Sequence, residues 1–559
     1  MNIPHLAPDF ANFGQYFGVP IATRPADVHV VWLNERWWAL HAVDVAEPEE
    51  RRALTEAIKQ AMGVTTHGAH TPADPPFVAD RYGDTIGSYH GGSGRCASIG
   101  TFSAKGIGPT PLVPNVDTGT HRDGRVSIIE AMREAASAEI AEMELPHGAI
   151  PVVAILRYEN PEFGDAIVVR PNFIRPAHFL RSIYFGTAGF PGSDQHLDGL
   201  RVAHNVRRSE LKPSAFGFPG FATMIERLAH QVGAAHALRL WQGRFLPANA
   251  SVTGALADFG SFRGVPSWHR YFGDPDEFFG EEAQGLLRAS RALFKSFSKH
   301  SQSSIRTLDE KHLMTAVRKG FDEAIRVSLC LPLDNSGEKI LDLLHSYFKA
   351  QQLETGHIGY SETLDRKPWI HETLVQPALL GSDRYRAERE LIENLRHLID
   401  QNDFAHRFAA WTMPRPKLSY ERPYDVFTRF FSVAKNSPEE VAKRIEFAIN
   451  RIIATSVRNW PDLPVKFRIL GQTYRNGSIA VYGRLSGSDD LTVCVRGVGM
   501  RRFFGTRVPS SPSATRDTEW HLVKASSSAL GNGLEASIEG VRVEVPAAKQ
   551  LYPQIHVGE

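Results

Sequence analysis

Cysteine is scarce in this chain: Cys96, Cys330 and Cys494 are the three in 559 residues. They lie too far apart for a metal or redox motif and give no disulfide framework, so a reducing, cytoplasmic compartment is expected. Long apolar runs are missing too. The longest, such as Ala149-Ile-Pro-Val-Val-Ala-Ile-Leu156, are far short of the ~20 residues that cross a bilayer, and no membrane span is expected. The N-terminus, Met1-Asn-Ile-Pro-His-Leu-Ala-Pro8, lacks the basic-then-apolar pattern of a secretion signal. Charge is nearly balanced, 63 Lys and Arg against 62 Asp and Glu, so no global field draws nucleic acid or an anionic membrane. No internal repeat is apparent. What is present is an ordinary globular composition, 42% hydrophobic and 22% charged. The length allows two to four domains at ~150 residues each.

Residues 27–43 read as two strands around an Asn-Glu turn, followed by a helix at 47–62. Residues 63–79, rich in Gly, Thr, Pro and His, read as a loop. His67 and His70 there have no further ligand at metal spacing and are expected to be solvated. A Gly-rich stretch at 82–100 leads into a short strand, Ala97 to Phe102. A helical pattern covers 124–141, and strands follow at 149–157 and 165–170. From 220 onward helices dominate, with clear patterns at 281–299, 307–327, 338–352 and 383–402. Ser437-Pro438-Glu439-Glu440 is a helix start, with Ser as N-cap and Pro at the first position. After Pro461 the pattern alternates: strands at 465–470 and 478–485 flank Asn476-Gly477, a hairpin signal. Further strands are expected at 491–496 and 541–545, with a flexible loop at 508–515. The expected fold class is α+β. A β-rich part at 1–180 precedes a helical part at 181–460 and a small β-rich C-terminal module at 463–559.

The chemistry-bearing residues occur in a consistent order. A triphosphate requires backbone N–H groups, cations and a metal ion. Gly87-Ser-Tyr-His-Gly91-Gly92-Ser-Gly94-Arg95 can bend sharply over phosphates, although Gly-rich turns are common. Lys105, in Ser103-Ala-Lys-Gly-Ile-Gly-Pro-Thr-Pro111, stands on or just after a strand and can reach phosphate as a point charge. Glu134 lies in the amphipathic helix that starts near Arg125. A strand lysine paired with a helix glutamate is the arrangement of protein kinases; the plainer alternative is a solvated helix residue. Arg170, closing Ala166-Ile-Val-Val-Arg170, and Arg175 carry planar forks suited to anionic oxygens. Finally, Asn249-Ala-Ser-Val-Thr-Gly-Ala-Leu-Ala-Asp258-Phe259-Gly260 spaces an Asn and an Asp-Phe-Gly as kinase-like enzymes do to present two oxygen ligands to Mg²⁺. The alternative is a turn after a strand.

Taken together these segments resemble the selenoprotein O family, kinase-fold enzymes that transfer AMP to protein hydroxyls. The resemblance is carried by Tyr82-Gly83, Gly87 and Gly91-Gly92-Ser93-Gly94-Arg95; by Lys105-Gly-Ile-Gly-Pro-Thr-Pro111; and by Asp123-Gly124-Arg125 and Arg133-Glu134, with Glu139 beyond. It continues through Arg170, Arg175 and His178-Phe179, and through Asn249, Ser251, Gly254 and Asp258. The glycine loop and the spacing of the arginines are each two residues shorter than in the family, and an insertion at 115–121 precedes Asp123. The five segments keep family order over 80–260, under half the chain.

The resemblance implies a protein-kinase-like bilobal fold with a β-rich N-lobe and helical C-lobe, binding ATP in a flipped orientation. It implies that Gly92, Gly94, Arg95, Lys105, Asp123, Gly124, Arg170 and Arg175 hold the nucleotide and that Glu134 orients Lys105. Asn249 and Asp258 would hold Mg²⁺, or Mn²⁺ in its place. Lys105, Glu134 and Asp258 form the implied catalytic set, and the acceptor is a protein or peptide. One position departs: where the family carries an Asp before the metal Asn as proton acceptor, this chain has Ala248. The base position of ordinary kinases, five residues before the Asn, holds Arg244. An AMP transferase is therefore expected, with a phosphotransferase, a non-catalytic ATP-binding scaffold and an unrelated helical enzyme as alternatives. The stretch Trp268-His-Arg-Tyr-Phe272 is expected in the core, and the Ser-rich stretches at 510–513 and 526–528 on the surface.

Overall fold

The computed structural model describes most of residues 7–357, the longest omissions being 114–122 and 183–194. It also describes Trp411, residues 437–457, and six strands between 467 and 545. The chain is a mixed α+β protein with a large antiparallel sheet and helices. Seven strands build that sheet: β1 (Gly18–Ala22), β2 (Val28–Leu33), β3 (Pro72–Asp80), β4 (Cys96–Ile99), β5 (Phe102–Lys105), β6 (Ala154–Tyr158) and β7 (Ala166–Pro171). Their order is β1-β3-β4-β5-β7-β6-β2, antiparallel at every step.

Successive strand side chains point to opposite faces. On one face Ala104, Leu156, Ile167 and Val169 pack with Trp37, Trp38, Leu54 and Ile58, which belong to helices α1 (Glu35–Leu40) and α2 (Pro48–Met62). On the other, Ile155, Ala166 and Val168 pack with Ala131, Ala135 and Ala138 of α3 (Ile128–Glu144). Covering both faces explains why Ala154, Ile155 and Leu156 are apolar in succession. The small residues of α3 let that helix lie close to the sheet.

Three expectations fail here. The second strand of 27–43 is instead α1, because the Asn34 side chain caps it, accepting from Trp37 N at 2.9 Å. The 63–79 stretch is not all loop. It holds a two-residue strand at Val64–Thr65 and all of β3 but its last residue, Asp80. The proline-rich first half of β3 is largely exposed, where missing N–H donors cost little. The strand expected from Ala97 to Phe102 is a hairpin of β4 and β5 that turns between Ile99 and Phe102.

Helices α4 (Gln195–Leu211), α5 (Phe221–Ala237), α6 (Glu282–His300), α7 (Glu310–Leu329) and α8 (Asn335–Gln351) follow, with α6 to α8 close to their expected bounds. Helix α9 (Pro438–Ser456) starts where the Ser-Pro-Glu-Glu motif puts it: Ser437 Oγ accepts from Glu440 N. It packs on α3 and β2, with Ile445, Ile449 and Ile453 buried, so a late helix closes the first sheet. Trp268 and Tyr271 are buried, as expected. Strands β8 (Phe467–Arg475), β9 (Ser478–Leu485), β10 (Leu491–Gly497), β11 (His521–Ser527), β12 (Leu534–Ile538) and β13 (Val541–Val545) pair antiparallel in chain order. The expected helix at 383–402, the Asn476-Gly477 turn and the 508–515 loop lie outside the described residues. No described helix is long and apolar enough to cross a membrane.

Candidate nucleotide and metal site

Strand register brings the first cations together. Cys96 pairs with Lys105, and Arg170 pairs with Ser103 two residues before Lys105. Because strand side chains alternate, Lys105 and Arg170 fall on the α3 face, opposite Ala104 and Val169. Helix α3 answers with Glu134 and, one turn earlier, Glu130. Lys105 Nζ lies 2.6 Å from Glu134 Oε2 and 3.7 Å from Glu130 Oε1. Arg170 reaches the other Glu134 oxygen at 3.1 Å. Arg95 engages Glu130 at 2.7 Å and also donates to Arg125 O at 2.9 Å. The strand lysine and helix glutamate are therefore paired as expected.

The Asn249 to Asp258 segment joins them from far along the chain. Its nine-residue span is a small backbone-paired loop. Ser251 N donates to Ala255 O (2.7 Å), and Ala257 N to Asn249 O (2.8 Å). Gln242 Nε2 bridges the carbonyls of Asn249 and Ala257 at 3.0 and 2.8 Å. Ile150 N and Gly148 O bind Leu256, stitching the loop to the segment after α3. Arg133 of α3 donates to Phe262 O at 2.7 Å, and Phe259 is fully buried. These ties deliver Asp258 to Lys105 Nζ at 2.9 Å. Asp258 is one of two described non-glycine residues at positive φ (+60°), a conformation Asp tolerates better than most.

The electrostatics follow from this crowding. Burial opposes the Asp258 charge, but Lys105, Arg170 and Arg95 hold its carboxyl well below the usual range. Burial would likewise discharge Lys105, yet Asp258 and Glu134 raise its pKa instead. Asp258 remains 34% exposed and Glu130 23%, whereas Glu134 is sealed at 1%.

Other residues singled out from the sequence serve the scaffold. Arg175 stacks over Phe173 at 4.1 Å, donates to the Ala248 carbonyl, and lies 3.5 Å from Asp80. Asp80 accepts from Ser93 Oγ and sits 2.9 Å from His178 Nε2. His178 Nδ1 accepts from Arg175 N at 2.8 Å, so Nε2 carries the proton toward Asp80. Burial lowers the His178 pKa and keeps the ring neutral. Burial raises the Asp80 pKa, but His178, Arg175 and Ser93 more than offset it and hold the carboxyl well below its usual range.

A Cβ on Gly92 would stand 2.1 Å from Asp80 O, and one on Gly124 2.0 Å from Gly108 C. Close backbone approach therefore accounts for both glycines without a ligand. Gly94 flanks Val113. Asp123 is exposed and caps the turn to Arg125 N at 3.0 Å. Glu139 faces away from Lys105, binding Asn34 at 2.6 Å and Arg36 at 2.7 Å. Gly87 and Arg244 lie outside the described residues. His67 and His70 join no metal cluster, and none of three or more His, Cys, Asp or Glu occurs among the described residues.

Sequence reasoning missed Glu130 and Asp80. Glu130 carried a signal, standing four residues before Glu134 and so on the same helix face. Asp80 carried none, since it ends a strand that reads as loop.

No protein-family model matches this chain, and no curated protein matches it.

Proposed function

We propose that this chain binds ATP with Mg²⁺ at the Lys105–Glu134–Asp258 cluster and transfers AMP to a protein or peptide acceptor. The observation that carries the reading is one lysine nitrogen held by a helix carboxylate and by the Asp-Phe-Gly carboxylate, 29 and 153 residues away. In this reading residues 1–180 form the nucleotide-covering lobe of a kinase-like bilobal fold, 181–460 the helical lobe, and 463–559 a separate β-rich module. The donor set suits the ligands. Asn249 and Asp258 offer an amide and a carboxylate oxygen to a hard cation, and Arg95, Lys105 and Arg170 offer three cations to phosphate oxygens. Bound Mg²⁺ would supply charge neutralisation on the phosphates. Glu134 holds Lys105 in place, and Arg133 holds the Asp-Phe-Gly segment through Phe262. The flipped ATP orientation implied by the selenoprotein O resemblance sets the α-phosphate toward the acceptor, so AMP is the group that moves: the acceptor oxygen bonds to the α-phosphorus as its bond to the leaving pyrophosphate breaks.

Ala248 favours a second reading, a non-catalytic ATP-binding scaffold. Its side chain takes no proton, and its carbonyl is occupied by Arg175. Loss of a general base costs typically ~10²–10⁴-fold in rate, while positioning and charge stabilisation remain. A slow transferase, or one whose acceptor is already ionised, is the outcome on the first reading.

The test is incubation with Mg²⁺ and ATP labelled at the α- or the γ-phosphate, read by intact mass. Retention of α-label with a mass gain of AMP is expected. Label retained only from the γ-position would make the protein a phosphotransferase. No label from either, with ATP still raising the melting temperature, would leave the scaffold.

A further inference from the structure

Arg95, Lys105 and Arg170 would receive a triphosphate, yet each is already paired. Three cations face three carboxylates, Glu130, Glu134 and Asp258. The cluster thus offers an arriving polyanion no net positive charge. Its carboxylates differ in access. Glu134 is sealed between Lys105 and Arg170, whereas the side chains of Glu130 and Asp258 stay partly exposed.

Glu130 is an unexpected member. It stands at the third position of α3, whose Ser127 cap accepts from its backbone N at 3.1 Å. A glutamate there commonly folds back to the cap residue's N–H. Instead its carboxylate turns to Arg95, with oxygens 2.7 and 3.4 Å from the two guanidinium nitrogens, and toward Lys105 at 3.7 Å. Arg95 has a second anchor at Arg125 O, so it keeps a tether when Glu130 lets go.

We propose that Glu130 is a positioning residue that occupies Arg95 in the ligand-free protein and makes polyphosphate binding depend on an accompanying divalent cation. With Glu130 charged, a bare polyphosphate must displace a carboxylate and then sit beside it. A metal-bound polyphosphate brings the missing positive charge. The inference rests on the nucleotide reading above for the identity of the anion's source, but on the ion pairs alone for its sign.

The experiment titrates wild type, Glu130→Gln and Glu130→Asp with inorganic tripolyphosphate and with ATP, with Mg²⁺ and with chelator, by calorimetry. Glu130→Gln is nearly isosteric, and an unchanged unfolding transition confirms its fold. The expected result is metal-free binding of both probes tightened about tenfold in Glu130→Gln. Binding with Mg²⁺ changes much less, and Glu130→Asp retains the wild-type metal requirement. The gain disappears in Glu130→Gln/Arg95→Gln, which a merely structural role for Glu130 does not predict. Equal or weaker metal-free tripolyphosphate binding in Glu130→Gln, with wild type still binding Mg²⁺-ATP, overturns the inference and leaves the nucleotide reading standing. Tighter tripolyphosphate binding with no preference for ATP supports the role of Glu130 and overturns the nucleotide reading.

Discussion

Two polar clusters share Phe173 as a neighbour: the Arg170 guanidinium lies 5.6 Å and that of Arg175 4.1 Å from its ring centre. They contain similar groups and are built differently. Around Arg175, Asp80 and His178 are 4% and 0% exposed, and each is satisfied by fixed partners. Around Arg170, Asp258 and Glu130 keep a third and a quarter of their surface open. A sealed ion cluster fixes geometry, because removing one member strands a buried charge. An open one can exchange partners, because water and ligands reach its oxygens. The Asp80 cluster ties the Gly92-Ser93 turn, the His178 turn and the Ala248 carbonyl into one frame. The Lys105 cluster stays partly open, as the proposed nucleotide site requires.

The largest expected effect is on the sealed side. Asp80→Ala strands Arg175 beside a neutral His178 and should cost about 3–5 kcal/mol in urea unfolding. A cost under ~1 kcal/mol would erase the distinction between the clusters. Gly124→Ala comes next. With φ at +71° and a Cβ pressed onto Gly108, a loss of about 2–3 kcal/mol is expected. Wild-type stability would return Gly124 to a ligand-only role.

The pH profile sharpens the contrast further. Burial lowers the His236 pKa to about 4, below its unfolded ~6.5. The unfolded chain therefore binds the extra proton first, and stability falls as pH drops from ~6.5 to 4. Asp80 and Asp258 have depressed carboxyls. Their stabilisation is present above the unfolded value of ~3.9 and is lost only as pH falls below it toward their folded values. Melting temperature plotted against pH should fall in two ranges, and His236→Gln should shrink the upper one, which His236 shares with the buried His178. A single step below pH 4 in the wild type would contradict the burial of His236.

The smallest stability effect belongs to the open cluster. Asp258→Asn should cost only about 1 kcal/mol, since its carboxylate is partly solvated, yet abolish any melting-temperature rise given by Mg²⁺-ATP. A larger stability loss than that of Asp80→Ala would reverse the comparison.

Much of this was legible in the sequence. The helices α6 to α9 announced themselves through periodicity and the Ser437 cap, and the pairing of Lys105 with Glu134 was expected from a strand lysine and a helix glutamate. The misreadings have local causes. Asn34 serves equally as a turn residue or a helix cap, and only its bond to Trp37 N decides. The prolines of 72–76 mask a strand whose second half alone is buried. Arg170 and Arg175 look alike in sequence, but β7 carries the first onto the α3 face and the second lies beyond the strand, locked on Asp80.

The sequence by itself determined which charged and amide side chains are available to the proposed site, and how Asn249 and Asp258 are spaced, because short-range backbone pairing closes that loop. Tertiary structure alone decided that Glu130 turns to Arg95, that Asp80 fixes Arg175, and that α9 closes the sheet. Those choices depend on which charged groups become neighbours once water is excluded. That is a property of packing between distant segments, and local pattern does not record it.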